Sequence, residues 1–285
     1  MKKIFQRLIV FFVGLPALIF IIVFLPQYNH FALNVVVIVF SVLGALELRN
    51  ILSHKNLIIS LPETIILGAL SPVVWTVAVS FSIEGQIIAG ALAMGTAWLL
   101  ISRIFVKQEQ LDSCISRIAA GLAVMVYPGL FLAWIVQMAV FNQAGFVILI
   151  FFLIALLNDA IAWAAGNLFG KNNRGLIAAS PGKSISGFIG GLAASVGTGI
   201  AAVLLIPGAF SSAVMPSLPA GMILGFGAGI AATLGDLGES AIKRSAGVKD
   251  SGALIMGRGG ALDSIDSLAL AAPVYYILYS ILFHI

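Results

Sequence analysis

Carboxylates are most densely placed between Leu234 and Asp266. Asp263 and Asp266 are three residues apart at a predicted helix start, on one face of the helix, and Asp236 lies at the end of the preceding apolar segment. Mg²⁺ is held by one or two protein carboxylates together with waters and substrate phosphates. The pattern predicts a Mg²⁺ site at Asp236, Asp263 and Asp266, where a second cation could bind as in two-metal sites.

Basic residues and glycines accompany these carboxylates. Lys243, Arg244, Lys249 and Arg258 would face the phosphates, and backbone amides near Gly259 and Gly260 could approach them closely. Such a set suits phosphoryl or nucleotidyl transfer, in which positioning and charge neutralisation supply most of the catalysis. The alternative is a solvated loop whose acidic residues complement a helix macrodipole.

A second polar loop has the sequence Ser180-Pro181-Gly182-Lys183-Ser184-Ile185-Ser186-Gly187. Its Gly-Lys-Ser is not a complete phosphate loop, because that motif requires glycine where this chain has Ile177. Ser184 and Ser186 are predicted to cap the helix that follows. The positive end of that helix, beside Lys183, would then form an anion site.

Two acidic residues fall within predicted membrane spans. Ionisable groups at membrane depth are costly and often functional. Asp159 is expected to face a polar cavity about two turns from the inner end of its helix. Glu47 has two interpretations, because its long side chain near Arg49 could also reach the interface for a structural purpose.

The elements that position these residues are apolar helices. Of 285 residues, 61% are hydrophobic and only 9% are charged, and the mean hydropathy is +1.12. Apolar runs without strand-like alternation predict an all-α, polytopic membrane protein, since a spanning helix needs about 20 residues. About nine transmembrane helices are predicted, at residues 4–25, 32–49, 60–80, 86–106, 117–139, 145–166, 186–206, 218–238 and 266–284.

The basic residues predict the topology. With a cytoplasmic N-terminus, the inner segments and their flanks hold all 15 Lys and Arg residues, as the positive-inside rule requires. Both long polar loops, 167–185 and 239–265, are then cytoplasmic. The net charge of +4 is explained by membrane lipids and needs no nucleic-acid partner. We expect scaffold helices at 1–144, a catalytic region at 145–285 and no structural disulfide, because Cys114 is the single cysteine.

The stretch from Gly235 to Asp266 resembles the C-terminal signature of phosphatidate cytidylyltransferases, also called CDP-diacylglycerol synthases. Upstream, Asp159, Gly166, Gly170, Ser180-Pro181 and Lys183 resemble a second conserved region, and Glu47 resembles an acidic residue of the second span. The signature is matched at Gly235, Asp236, Glu239, Ser240, Lys243, Arg244, Lys249, Asp250, Ser251, Gly252, Gly257, Gly259, Gly260, Asp263 and Asp266.

The resemblance implies that phosphatidate, or a related lipid phosphate, reacts with CTP to give CDP-diacylglycerol and pyrophosphate in phospholipid biosynthesis. Asp159 would position metal or substrate, and Lys183 would bind a phosphate. The substrate-binding set would be completed by Ser180, Ser184, Ser240, Asp250, Arg258, Gly259 and Gly260. The chain departs from the family pattern at Arg258, Ser264 and Ser186, where the family has histidine, arginine and glutamate.

Other functions and assemblies stay open at this point. One is a CTP-using enzyme acting on another lipid, either a lipid-phosphate cytidylyltransferase or an isoprenoid alcohol kinase. Another is a non-catalytic membrane protein that binds lipid or nucleotide. Gly221, Gly225 and Gly229, four residues apart, could support a homodimer or internal helix packing alone.

Overall fold

The computed structural model describes residues 10–83, 86–212, 214–255 and 259–283. Within these ranges the chain forms helices joined by loops, with two isolated β-bridges and no longer strand, which confirms the all-α fold. The α-helices are α1 Leu15–Phe24, α2 Gln27–Ser53, α3 Leu61–Phe81, α4 Gln86–Ile101, α5 Cys114–Val124, α6 Phe131–Gln137, α7 Ala144–Phe169, α8 Ile185–Leu205, α9 Ser217–Ser245 and α10 Leu262–Phe283.

Seven helices in the described ranges are long and apolar enough to cross a membrane. Two shorter apolar helices, Phe12–Phe24 and Gln86–Ile101, fall where two further spans were predicted, so the count of nine is not confirmed. At 1.5 Å per residue, a helix of 16 residues reaches about 24 Å, less than the roughly 30 Å of a hydrocarbon core. The seven are Gln27–Ser53, Leu61–Phe81, Leu111–Val140, Ala144–Phe169, Ile185–Leu205, Ser217–Ser245 and Leu262–Phe283.

The chain divides into two compact units. The first comprises the chain up to Gln137 together with Ile242–Ile265, and the second comprises Met138–Ala241 with Asp266–Ile285. The polar loop 167–185 therefore lies in the second unit, and most of the polar loop 239–265 lies in the first. The proposed separation of scaffold at 1–144 from catalytic region at 145–285 is a functional division that stays a prediction.

In the first unit, a serine compensates for a proline inside a membrane helix. Pro72 lies within α3 and has no N–H, so the carbonyl of Gly68, four residues earlier, loses its helical donor. The Ser41 hydroxyl of α2 lies 2.6 Å from Gly68 O and 2.7 Å from Pro128 O, and shares its proton between them. Pro128 itself lies in the π-helical turn Met125–Leu130 that separates α5 from α6.

In the second unit, small residues allow neighbouring helices to approach closely. An added Cβ would lie 2.8 Å from Ala162 O at Gly187 and 2.9 Å from Asn158 O at Gly191, both on α8 against α7. On α9, Gly221 and Gly225 contact the backbone of α8, and Gly229 contacts Ser195. These glycines therefore allow close packing between the helices of this unit.

Candidate functional site

The loop between α7 and α8 is shaped by a helix cap. The Ser184 hydroxyl accepts a hydrogen bond from Gly187 N at 3.1 Å, so Ser184 is the N-cap of α8, as predicted. Ser186 instead donates to Asn173 Oδ1 at 3.3 Å. The backbone N–H of Lys183 bonds Ser180 O at 3.1 Å, which closes a turn around Pro181 and Gly182. The loop is thus ordered up to the lysine predicted to bind phosphate.

Lys183 forms an ion pair within the second unit. Its Nζ lies 2.5 Å from Asp236 Oδ2 near the C-terminal part of α9, and about a quarter of each side chain is exposed. The lysine also lies 6.0 Å from the centre of the Phe188 ring. Partly exposed ion pairs stabilise a fold by at most about 1 kcal/mol. The pair can therefore open at little energetic cost when an anion or a cation competes for either member.

Asp236 is also one of several carboxylates of the second unit that act on Asp266. Asp266 is buried and bonds Ser267 N at 2.6 Å, and the negative charges of Asp236, Glu239 and Asp159 act on it. The Ser267 hydroxyl donates to Asp159 Oδ2 at 3.0 Å. Three acidic residues singled out from the sequence are therefore close enough for their charges to interact: Asp159, Asp236 and Asp266.

A buried polar network that the sequence analysis missed lies beside Asp159 in the chain. Asn158 donates to Ser195 Oγ at 2.9 Å and to Gly229 O at 3.2 Å, and accepts from Thr233 at 3.2 Å. A satisfied amide in a membrane helix ties three helices together. Its only signal in the sequence was an Asn-Asp pair inside an apolar span.

The first unit contains a second polar cluster, built around Glu47 of α2. Its Oε1 accepts from Ala261 N at 2.9 Å, and its Oε2 accepts from Leu262 N at 2.8 Å and Ser251 Oγ at 2.8 Å. Glu47 is 8% exposed. The acidic side chain therefore holds the N-terminus of α10, where unpaired N–H groups favour negative charge.

Asp263 lies in the same cluster, fully surrounded by donors. Its Oδ1 accepts from Lys243 Nζ at 2.5 Å, and its Oδ2 accepts from Gly260 N at 2.7 Å and Ser251 N at 3.0 Å. The Ser251 hydroxyl lies 2.9 Å from Oδ2 and shares its single proton between Asp263 and Glu47. Gly259 has φ of +114°, and a Cβ there would collide with the carboxylate. The two residues predicted to bind metal and phosphate, Asp263 and Lys243, are thus paired with each other.

Other predicted site residues lie on the surface or outside the described ranges. Arg244, Lys249 and Asp250 are exposed, and Arg244 bonds Val248 O at 3.4 Å. Ser180 and Ser240 are half-buried. Arg258 lies outside the described residues, so its predicted role stays a prediction. Of the two other departures from the family pattern, Ser264 donates to Gly260 O at 3.3 Å, within the start of its own helix.

The carboxylate oxygens of these clusters are the type of ligand that a hard divalent cation prefers. Within the described ranges, no group of three or more His, Cys, Asp or Glu side chains is close enough to hold a metal ion. Buried Asp266 nevertheless experiences three like charges, a situation that a bound cation relieves. The assignment of Mg²⁺ to Asp236, Asp263 and Asp266 stays a prediction, and for Asp263 it would require Lys243 to give up Oδ1.

Comparison with protein families decides the classification. The sequence profile of the cytidylyltransferase family matches residues 5–282, nearly the whole chain. The chain belongs to this cytidylyltransferase family. The resemblance inferred from the Gly235–Asp266 signature is therefore confirmed, and both polar clusters lie within the region that the family profile covers.

Several known proteins align with part of the chain. The phosphatidate cytidylyltransferase of Haemophilus influenzae is 39% identical over 135 residues, 47% of this chain and 46% of that protein. The phosphatidate cytidylyltransferase of Staphylococcus aureus (strain COL) is 41% identical over 132 residues, 46% of this chain and 48% of that protein. The uncharacterized protein YnbB of Escherichia coli (strain K12) is 33% identical over 191 residues, 66% of this chain and 60% of that protein. The chain thus spans about half the length of these relatives.

Proposed function

We propose that the protein is a phosphatidate cytidylyltransferase, which joins CTP and phosphatidate to form CDP-diacylglycerol and pyrophosphate. A phosphate oxygen of phosphatidate attacks the α-phosphorus of CTP. The bond between the α-phosphorus and the oxygen bridging to the β-phosphorus breaks, and pyrophosphate leaves. No covalent intermediate on the protein is needed.

Family membership over residues 5–282 is the observation that carries this proposal. Two relatives named phosphatidate cytidylyltransferase, at 39% and 41% identity, add the substrate class. The geometry agrees with the chemistry, because each unit contains a lysine paired with an aspartate, Lys183 with Asp236 and Lys243 with Asp263. Such lysines can transfer their hydrogen bonds from carboxylate to phosphate without a large movement of the backbone.

The side chains are assigned roles by their surroundings. Lys183, at the N-terminal end of α8, would bind a phosphate, since the helix N-terminus and the ammonium group both favour an anion. Lys243 would neutralise charge on the triphosphate, aided by exposed Arg244 and Lys249. Asp159, held by Ser267, would orient substrate or metal.

Mg²⁺ is the cofactor that this chemistry calls for. The ligands predicted for it from the sequence are the carboxylates of Asp236, Asp263 and Asp266. Mg²⁺ would offset charge on the phosphates, and a second cation would extend the same effect. The carboxylates of the second unit would otherwise repel the triphosphate. In the free protein, the ammonium group of Lys183 offsets the charge of one of these carboxylates, Asp236.

The proposed location is the cytoplasmic membrane of a bacterium, with the active site facing the cytoplasm. Seven apolar helices and bacterial relatives support an integral membrane protein. CTP is a cytosolic nucleotide, and the lipid phosphate lies at the interface. The placement of every Lys and Arg in predicted inner segments and their flanks supports the orientation.

Product analysis tests the reaction directly. Purified protein in detergent is incubated with CTP, Mg²⁺ and phosphatidate, and CDP-diacylglycerol and pyrophosphate are measured. We expect equal amounts of both products, and none from an Asp236→Ala variant of equal folded yield. Release of CDP would instead identify a kinase, and a trace equal to that of the variant would refute the proposed activity.

A further inference from the structure

Glu47 makes unusually extensive contacts with the loop that follows α9. It lies on α2, about two hundred residues earlier in the chain, yet both of its carboxylate oxygens accept hydrogen bonds from that loop or from the start of α10. A buried acidic side chain in a membrane helix is costly unless its bonds are satisfied. Here three donors at 2.8–2.9 Å satisfy it.

The backbone is wrapped closely around this carboxylate. A Cβ at Gly252 would lie 2.5 Å from Glu47 Oε1, and one at Gly260 would collide with Glu47 Oε2. Gly252 thus faces one carboxylate oxygen and Gly260 the other, and a side chain at either position would collide with Glu47. The loop is shaped to this one side chain.

Ser251 connects Glu47 to Asp263. Its hydroxyl lies 2.8 Å from Glu47 Oε2 and 2.9 Å from Asp263 Oδ2, and accepts from Asp263 N at 3.3 Å. Asp263 in turn holds Lys243. The chain of contacts thus runs from an apolar scaffold helix to two residues with proposed catalytic roles.

We propose that Glu47 is a positioning residue: it fixes the start of α10 and, through Ser251, sets where the Asp263 carboxylate and the Lys243 ammonium group lie. The connection from Glu47 to these two groups runs through Ser251 and the start of α10. The expected effect of Glu47 on catalysis rests on the proposed function, whereas its effect on the position of the loop and of the start of α10 does not. The binding of any substrate or cation at Asp263 would then depend on Glu47 of α2, because Glu47 fixes the position of the Asp263 carboxylate.

A Glu47→Gln variant tests the structural part independently of activity. Glutamine keeps the size of the side chain, but its NH₂ group must face an N–H donor at one of the two oxygens. We expect backbone amides at 260–262 to exchange hydrogen with deuterated solvent about tenfold faster, as the loss of a charge-assisted bond implies. Glu63→Gln is the matched control, because Glu63 also caps a helix of this unit but contacts Ser60 and Arg103.

A Ser251→Ala variant separates capping from positioning. It removes the hydroxyl that Glu47 and Asp263 share but leaves the bonds of Glu47 to Ala261 and Leu262. In Ser251→Ala, we therefore expect the backbone amides of residues 261–262 to exchange hydrogen as slowly as in the wild type. Both Glu47→Gln and Ser251→Ala should lower kcat for CDP-diacylglycerol synthesis at least tenfold and raise the half-saturating Mg²⁺ concentration, whereas Glu63→Gln should change neither quantity.

Three results would overturn the inference. One is unchanged amide exchange in Glu47→Gln. The second is faster amide exchange in Glu47→Gln while its kcat and Mg²⁺ dependence stay those of the wild type. The third is that Glu47→Gln and Glu63→Gln lose activity and melting temperature to the same extent. An inactive wild-type protein would refute the proposed function instead, while the exchange experiment would still decide whether Glu47 fixes the loop.

Discussion

At the scale of single residues, the two lysine–aspartate pairs differ in exposure, and this difference predicts different consequences of mutation. About a quarter of the Lys183 and Asp236 side chains is exposed, whereas Lys243 and Asp263 are each 10% exposed. An exposed pair contributes little to stability, while breaking a buried pair leaves a costly unpaired charge. Lys183 should therefore matter mainly for activity, and Lys243 for both activity and folding.

Lys183→Met should lower cytidylyl transfer about a hundredfold, because one cationic group is lost at a phosphate while the fold is kept. The rate of CDP-diacylglycerol formation and the melting temperature are measured together. Lys171→Met is the matched control, since Lys171 is an exposed lysine of the same loop. A similar loss in both variants would show that the loop needs only overall positive charge.

Lys243→Met should destabilise the protein by about 3 kcal/mol, because it leaves the Asp263 carboxylate buried without its cation. The free energy of unfolding is followed by denaturant titration in mild detergent micelles. Lys249→Met, which changes an exposed lysine of the same loop, should unfold like the wild type. Equal stability of the two variants would mean that the Lys243–Asp263 pair contributes nothing to the fold.

The sequence identified the charged residues of these clusters, but it did not show which residues they would contact. Lys183, Asp236, Lys243 and Asp263 were identified from charge and spacing alone. Their pairing could not be predicted, because it depends on how a loop returns to a helix that is distant in sequence. Ser251 was matched to the signature but given no role, and Ser267 was not singled out, for the same reason: a serine gives no signal of its contacts until the donor and acceptor beside it are known.

At the scale of elements, two glycines on α8 have opposite surroundings. A Cβ at Gly197 would have nothing within 4 Å, and the residue borders an apolar groove of about 490 Å³ between α7 and α8. A Cβ at Gly199 would collide with the backbone of α9 at Gly221. The first glycine weakens the helix, and the second is required for packing.

Gly197→Ala should raise the melting temperature slightly, because alanine stabilises a helix interior by about 0.5–1 kcal/mol relative to glycine. Gly199→Ala should lower it, because α8 and α9 would have to separate. Thermal unfolding followed by size-exclusion chromatography compares both variants with the wild type. A higher melting temperature in both would mean that the α8–α9 contact at Gly221 is loose.

Helix class and approximate bounds could be predicted because hydropathy is a local property. The predicted span 186–206 matches α8, Ile185–Leu205, within one residue. The count was less predictable, because a helix of 16 residues at Gln86–Ile101 has the composition of a span but not its length. The Ser41 contact that satisfies Gly68 could not be inferred either, since it links residues on different helices.

At the scale of the whole molecule, the distribution of charge relates the chain to its membrane. All 15 Lys and Arg residues lie in or beside segments predicted to be cytoplasmic, and both polar loops are among these segments. The positive-inside rule applies to short loops near helix ends, which describes this chain well. The loops must lie on the same side as CTP if the proposed reaction is correct, so topology and function can be tested together.

Cysteine labelling measures this topology, because Cys114 is the only native cysteine and can be replaced by serine. Single cysteines are introduced at Asn172 and Ala253 in the two polar loops, and at Asn142 and Ser211, which follow predicted outward crossings; all four positions are exposed. A membrane-impermeant maleimide should label residues 142 and 211 in intact cells, and residues 172 and 253 only after permeabilisation. Labelling of residue 172 or 253 in intact cells would place that loop away from CTP, and the proposed topology and the proposed reaction would then both be wrong.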